Sequence, residues 1–134
     1  MQMQVVTLFP EMVKTVVQFG VVGRAVERGI LALHCKDPRE HTTDNHRTVD
    51  DRPYGGGPGM VMKYEPVSAA LKTARKAMPE GSPVVCLSPQ GAVFDQAIAK
   101  RYAELPGIIL LAGRYEGIDE RLLESEVDEE LSLG

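Results

Sequence analysis

Apolar and polar positions along this chain fall into blocks that alternate between strand-like and helix-like spacing. Residues 2–8 are a short apolar run with β-branched Val5, Val6 and Thr7, which predicts a strand closed by Phe9 and Pro10. Proline suits the first turn of a helix, where its missing N–H would have no partner anyway, so Pro10 is read as a helix start. Met12, Val13, Val16, Val17 and Phe19 follow at helical spacing, and Gly20 fits a stop. Residues 23–29 read as a second short helical turn and residues 30–35 as a strand that alternates less cleanly. Residues 36–59 are almost entirely polar, proline or glycine. About two dozen residues without regular structure are unusual inside a compact domain and tend to be functional or disordered.

Periodicity returns after that stretch. Val67, Ala70, Leu71 and Ala74 share one face of a helix predicted over 66–78, which the Glu80-Gly81-Ser82-Pro83 sequence ends. Residues 84–87 form an apolar strand that stops at Ser88-Pro89-Gln90-Gly91. Asp95 is placed to cap a helix reaching about Tyr102, since a carboxylate there can accept from a free N–H of the first turn. Residues 107–112, GIILLA, are another wholly apolar strand, stopping at Gly113-Arg114-Tyr115-Glu116-Gly117. A last helix is expected over 118–123 and a last strand over 130–133. Strands that are apolar throughout are buried on both faces, so the pattern predicts an α/β domain with a mainly parallel sheet covered by helices.

Composition adds exclusions. The 134 residues are 43% apolar and 25% charged, close to the globular average. No apolar run approaches the roughly 20 residues that cross a bilayer, so no membrane association is expected. The N-terminus has neither a basic segment nor a small-residue cleavage site, and Cys35 and Cys86 fit no disulfide framework or zinc knuckle. A reduced, cytoplasmic protein is the expectation. The net charge is −4, but the acidity is local: residues 113–134 hold eight acids against two bases, whereas residues 1–112 hold 11 acids against 13 bases. Neither segment has the strong basic excess of a dedicated nucleic-acid domain, and charge leaves the partner open.

Candidate chemistry sits in three glycine-bearing segments. In open α/β sheets ligands bind beyond the carboxyl ends of the strands, where residues 88–91 and 113–117 are expected. Glycine admits close backbone approach, and free peptide groups there can read the edge of an adenine or a ribose; the alternative is a pair of ordinary strand-to-helix turns. No G-x-G-x-x-G and no P-loop sequence occurs, which disfavours a standard dinucleotide or nucleoside triphosphate site. The third segment is HRTVDDRPYGGGPGM at 46–60, whose bare backbone suits a flat base. Asp50 and Asp51 can accept from the N1 and N2 edge of guanine while Arg52 or Arg47 meets a phosphate. A flexible linker carrying a solvated acid–base pair is the competing reading. His34, His41 and His46 have no metal-ligand spacing with the cysteines, so no metal site is assigned. Cys86 reads as packing and the acidic run at 124–130 as a solvated face.

Taken together, LFPEM at 8–12, HRTVDDRPYGGGPGM at 46–60, LSPQG at 87–91 and GRYEGIDER at 113–121 resemble the bacterial tRNA (guanine-N1)-methyltransferases of the TrmD family. The resemblance covers essentially the whole chain. It implies a SPOUT-class domain in which S-adenosylmethionine lies in a deep trefoil knot, and a homodimer whose subunits both contribute to each site. The substrate it implies is tRNA, methylated on N1 of guanine 37 next to the anticodon. By motif, Leu87, Ser88, Pro89 and Gly91 match the first cofactor loop. Gly113, Tyr115 and Glu116 match the second, and Ser132, Leu133 and Gly134 begin the third. Asp50, Arg52, Gly55, Gly56, Gly57 and Gly59 match the region that holds the target guanine.

The chemistry implied is demanding at one atom. Guanine N1 carries a proton, so it is a weak nucleophile until a base removes that proton. The sulfonium methyl is already activated, which leaves in-line alignment as the main task. A divalent ion such as Mg2+ would act only indirectly, on charge at O6. In the family the chain continues past the Gly134 position with a glycine-rich segment that completes the knot, a linker holding the catalytic aspartate and an arginine, and a helical domain that grips tRNA. The resemblance therefore implies residues 1–134 as the N-terminal cofactor domain with an incomplete knot, whether as a fragment, an ordered portion of a longer chain or a truncated form. No catalytic residue is assigned within it, and no methyl transfer is expected from it alone. A catalytically silent cofactor module and a dimerisation or RNA-docking protein are the alternatives from other classes.

Overall fold

The computed structural model describes residues 1–42, 50–51, 61–62, 64–113 and 119–134, with the backbone alone at 50–51 and 61–62. Its centre is a five-stranded parallel sheet whose strands lie side by side in the order 32–36, 2–6, 107–112, 84–93 and 129–132. The strands are β1 (Gln2–Val6), β2 (Ala32–Lys36), β5 (Val84–Val93), β6 (Gly107–Ala112) and β7 (Glu129–Ser132). A separate antiparallel pair joins β3 (Asp50–Asp51) to β4 (Val61–Met62). The helices are α1 (Pro10–Val16), α2 (Gly20–Glu27), α3 (Tyr64–Ala77), α4 (Gln96–Ala103) and α5 (Glu120–Ser125).

Both faces of the sheet are covered, as its unbroken apolar strands require. On one face Val6, Val84, Cys86, Ile109 and Leu111 pack with Val67, Ala70, Leu71 and Ala74 of α3 and Leu122 of α5. On the other, Val85, Ile108 and Leu131 pack with Tyr102 of α4, and Ile98 and Leu105 close its edge. Successive residues of β5 and β6 thus serve opposite cores, the two-residue period of a pleated strand. Asp95 caps α4 by accepting from the Ile98 N–H at 2.8 Å.

Several boundaries differ from the sequence reading. β1 ends at Val6, and α1 ends at Val16 rather than Phe19. Gly20 opens α2 with a φ of 65° in the left-handed region, so it turns the chain between two helices. The apolar spacing of α1 does not mark a core face: no residue of α1 is buried, and Met12 and Val16 are exposed. The polar stretch after β2 contains a 3-10 turn over Pro38–His41 and the short strand β3, so Asp50 belongs to a strand rather than a loop.

The acidic run at 124–130 is more than a solvated face. Asp128 Oδ2 accepts from the Val84 N–H at 2.8 Å and lies 3.4 Å from the Arg75 guanidinium, which also donates to the Glu126 carbonyl at 2.8 Å. One carboxylate therefore joins the starts of β5 and β7 to α3. Glu129 accepts from both terminal nitrogens of Arg101 at 2.8 and 3.2 Å. Asp128→Ala leaves a part-buried N–H without its acceptor and is expected to cost about 2 kcal/mol in urea unfolding. Glu129→Gln, at an exposed pair, is expected to cost no more than about 1 kcal/mol. Equal losses for the two would refute the distinction.

Candidate cofactor site

Three parallel neighbours, β6, β5 and β7, bring their carboxyl ends side by side. Leu87 pairs with Ala112 of β6 on one side and with Leu131 of β7 on the other. Residues 88–91, Gly113 and residues 132–134 therefore leave the sheet at the same edge. The start of the first bend and Gly113, some two dozen residues apart in sequence, are adjacent in space because β5 and β6 pair in register.

The first bend has a form the sequence did not reveal. β5 does not stop at Leu87; it continues to Val93, and both Leu87 and Ala92 pair with Leu131. Residues 88–91 thus stand out of the β5–β7 ladder as an enlarged bulge, with Gln90 N–H donating to Ser88 Oγ at 3.2 Å. Sequence reading ended the strand where its apolar residues ended, yet Ala92 and Val93 resume pairing through backbone alone. Phe94 N–H then donates to the Ser132 carbonyl at 2.8 Å, fastening the far side of the bulge to the end of β7.

Gly91 explains why the bulge holds. A Cβ there would lie 2.4 Å from the Glu130 carbonyl carbon, 2.5 Å from its oxygen and 2.5 Å from Leu131 N. The close approach that glycine permits here is to the chain's own β7. Ser132 is buried and its Oγ accepts from the Gly134 N–H at 3.2 Å, which turns the third segment. Leu87 and Ser88 are half-buried, whereas Pro89, Gly113, Leu133 and Gly134 are exposed. The structure thus brings together Leu87, Ser88, Pro89, Gly91, Gly113, Ser132, Leu133 and Gly134. Tyr115 and Glu116 lie outside the described residues, as do Arg52, Gly55, Gly56, Gly57 and Gly59. Of the guanine candidates, Asp50 is described as backbone, paired with Met62.

Electrostatics at this edge are mild, and no strongly activated nucleophile appears among the described groups with resolved shifts. Burial, with help from the Glu130 carboxylate, pushes the Cys86 thiol up to about 11, so it is neutral near pH 7. Cys35 is also raised, chiefly by burial. Maleimide at pH 8 is accordingly expected to modify Cys35 slowly and to spare Cys86 until the chain unfolds, as counted by mass spectrometry. Equal labelling of both in the native chain would contradict this. Among the described residues no group of three or more His, Cys, Asp or Glu side chains is arranged to hold a metal ion, and no helix is long and apolar enough to cross a membrane.

Backbone groups of a bulge that leave the ladder and a buried serine, beside the apolar surfaces of Leu87, Pro89 and Leu133, make a lining that suits a nucleoside. A wholly parallel sheet with helices on both faces places the chain among the α/β domains, a class in which ligands bind beyond the carboxyl ends of the strands. Within that class it belongs to the tRNA (guanine-1)-methyltransferase TrmD family, whose model matches residues 1–134. It is 61% identical over 130 residues to a tRNA (guanine-N(1)-)-methyltransferase of Hahella chejuensis, covering 97% of this chain and 50% of the relative. A protein of the same name from Methylococcus capsulatus is 56% identical over 134 residues, covering 100% of this chain and 53% of the relative. The chain spans about half the length of the curated relatives it matches. The crystal structure of a tRNA (m1G37) methyltransferase from Aquifex aeolicus superposes with a TM-score of 0.88 at 34% identity, covering 100% of this chain and 60% of that one.

Proposed function

We propose that this chain is the S-adenosylmethionine-binding domain of a tRNA methyltransferase that places a methyl group on N1 of guanine 37. The observation that carries the reading is the convergence of Leu87, Gly113 and Ser132 at neighbouring strand ends, with Gly91 seated on the Glu130–Leu131 peptide. Family membership and the names of the relatives supply the substrate class. When bound, S-adenosylmethionine would supply an electrophilic methyl group.

The residues of this chain have the tasks of binding and orientation. Residues 88–91 offer peptide N–H and C=O groups outside the ladder, which suit the edge of an adenine. Leu87, Pro89 and Leu133 offer apolar surface to a ring. Gly113 leads β6 into the segment holding Tyr115 and Glu116, which we assign to the cofactor by motif. Asp50, Arg52, Gly55, Gly56, Gly57 and Gly59 are assigned to the target guanine on the same ground, with threading of the three bends into a trefoil knot as part of the reading. Exposed Met12 and Val16 of α1, Phe19 between the helices and Val21 of α2 support a homodimer, because large apolar side chains left in water favour association.

Calorimetry with S-adenosylmethionine tests the binding half, and mass spectrometry of tRNA digested after incubation with the product of the complete reading frame tests the chemical half. N1-methylguanosine at position 37 is expected. Binding without any methylated guanosine, or a methyl group on another base, would overturn the assignment.

A further inference from the structure

Among the residues of GRYEGIDER that the cofactor reading leaves without a task are Asp119 and Arg121, and the structure joins them to a distant segment. Asp119 is buried and caps α5, its Oδ1 accepting from the Arg121 N–H at 2.9 Å. The same carboxylate takes the Arg121 side chain through two bonds, Nε to Oδ1 at 3.0 Å and a terminal nitrogen to Oδ2 at 2.6 Å. So held, the guanidinium lies over the ring of Tyr64, 5.0 Å from its centroid. The Tyr64 hydroxyl is 3.4 Å from Ser125 Oγ, which itself donates to the Arg121 carbonyl at 2.6 Å.

The two ends of this contact have informative places in the chain. Tyr64 opens α3 two residues after Met62, whose strand pairs with Asp50 of the segment assigned to guanine. Asp119 opens α5 six residues after Gly113, at the other end of the segment assigned to the cofactor. Resting on those two assignments, we propose that Arg121 is a positioning residue that couples the cofactor segment to the guanine segment through its stack on Tyr64. Movement of the α5 start changes the seat of the guanidinium, and with it the α3 start and the ribbon β3–β4. Because Arg121 holds the Asp119 carboxyl below the ordinary range, the ion pair persists at neutral pH.

Coupling is reciprocal, so it reads out as a change in cofactor affinity when tRNA binds. The product of the complete reading frame is titrated with S-adenosylmethionine with and without saturating tRNA that carries guanine 37. The two dissociation constants are expected to differ by about fivefold or more in the parent. The ratio is expected to fall close to one in Arg121→Gln and in Tyr64→Leu, and to survive in Tyr64→Phe, which keeps the ring. Arg121→Lys, lacking the planar fork, is expected to fail with Arg121→Gln. A merely structural role would lower Tm in the variants and leave the ratio alone. Should Arg121→Gln not fold, Tyr64→Leu against Tyr64→Phe decides the matter. A parent ratio of one, or a ratio kept in Tyr64→Leu, overturns the coupling while the methyltransferase reading stands. A parent that binds no S-adenosylmethionine removes both.

Discussion

Gly91→Ala is expected to destabilise the chain by about 3 kcal/mol, the upper part of the range for an overfilled core, and to weaken S-adenosylmethionine binding at least about tenfold. The argument is steric. The three nearest atoms that the new methyl would meet all belong to backbone, with the Glu130 carbonyl carbon 2.4 Å away and Leu131 N 2.5 Å away. No rotamer change relieves such a contact, so β7 or the bulge must move, and both form the proposed site. Gly107 provides the internal comparison. Its added methyl would lie 2.6 Å from Met78 Cε and 2.7 Å from Ser82 Oγ, both side-chain atoms, and no nearer to backbone than the 3.1 Å to the Gln2 carbonyl oxygen. Gly107→Ala is therefore expected to cost only about 1 kcal/mol. Urea unfolding of the two variants checks the order, and equal costs would show that β7 yields as easily as a methionine tip.

Ile109→Ala is expected to cost about 4 kcal/mol, within the range for emptying a large aliphatic site in a core. Ile109 is fully buried in β6, the central strand, where it packs under α3. Neighbours on both sides are held by strand pairing and cannot collapse into the space, which places the cost high in the range. Val16→Ala, in α1 and 62% exposed, is expected to change stability by no more than about 0.5 kcal/mol. Chemical denaturation with an unchanged m-value checks both. A loss below about 1 kcal/mol at Ile109 would mean that the core repacks around the gap.

Legibility in the sequence followed burial. β6 over Gly107–Ala112 and the Asp95 cap of α4 match their expected places, because an apolar strand and a carboxylate cap each advertise themselves locally. The α/β class and the parallel sheet were readable for the same reason. The continuation of β5 through residues 88–93 was not, since exposed residues there are held by peptide groups that carry no side-chain signature. Two-residue strands such as β3 and β4 are too short for any periodicity. The part of Gly91 in seating β7 needed the partner strand in view, and so did the Asp128 bond to Val84. The spacing of α1 misled because the same apolar rhythm serves a core face or an open face, and only packing tells them apart.

The strand order has a consequence for how this chain is made. β1 is synthesised before both of its partners but takes its place between β2 and β6, and residues 2–6 must wait for residues 107–111 before their second edge is filled. β7, which follows β5 and β6 along the chain, docks on β5 and seats Gly91. Contacts so distant along the polypeptide slow the search for the native state, and an exposed β1 edge is vulnerable during translation. The proposed ligand edge can therefore form only after the segment around Leu131 has left the ribosome.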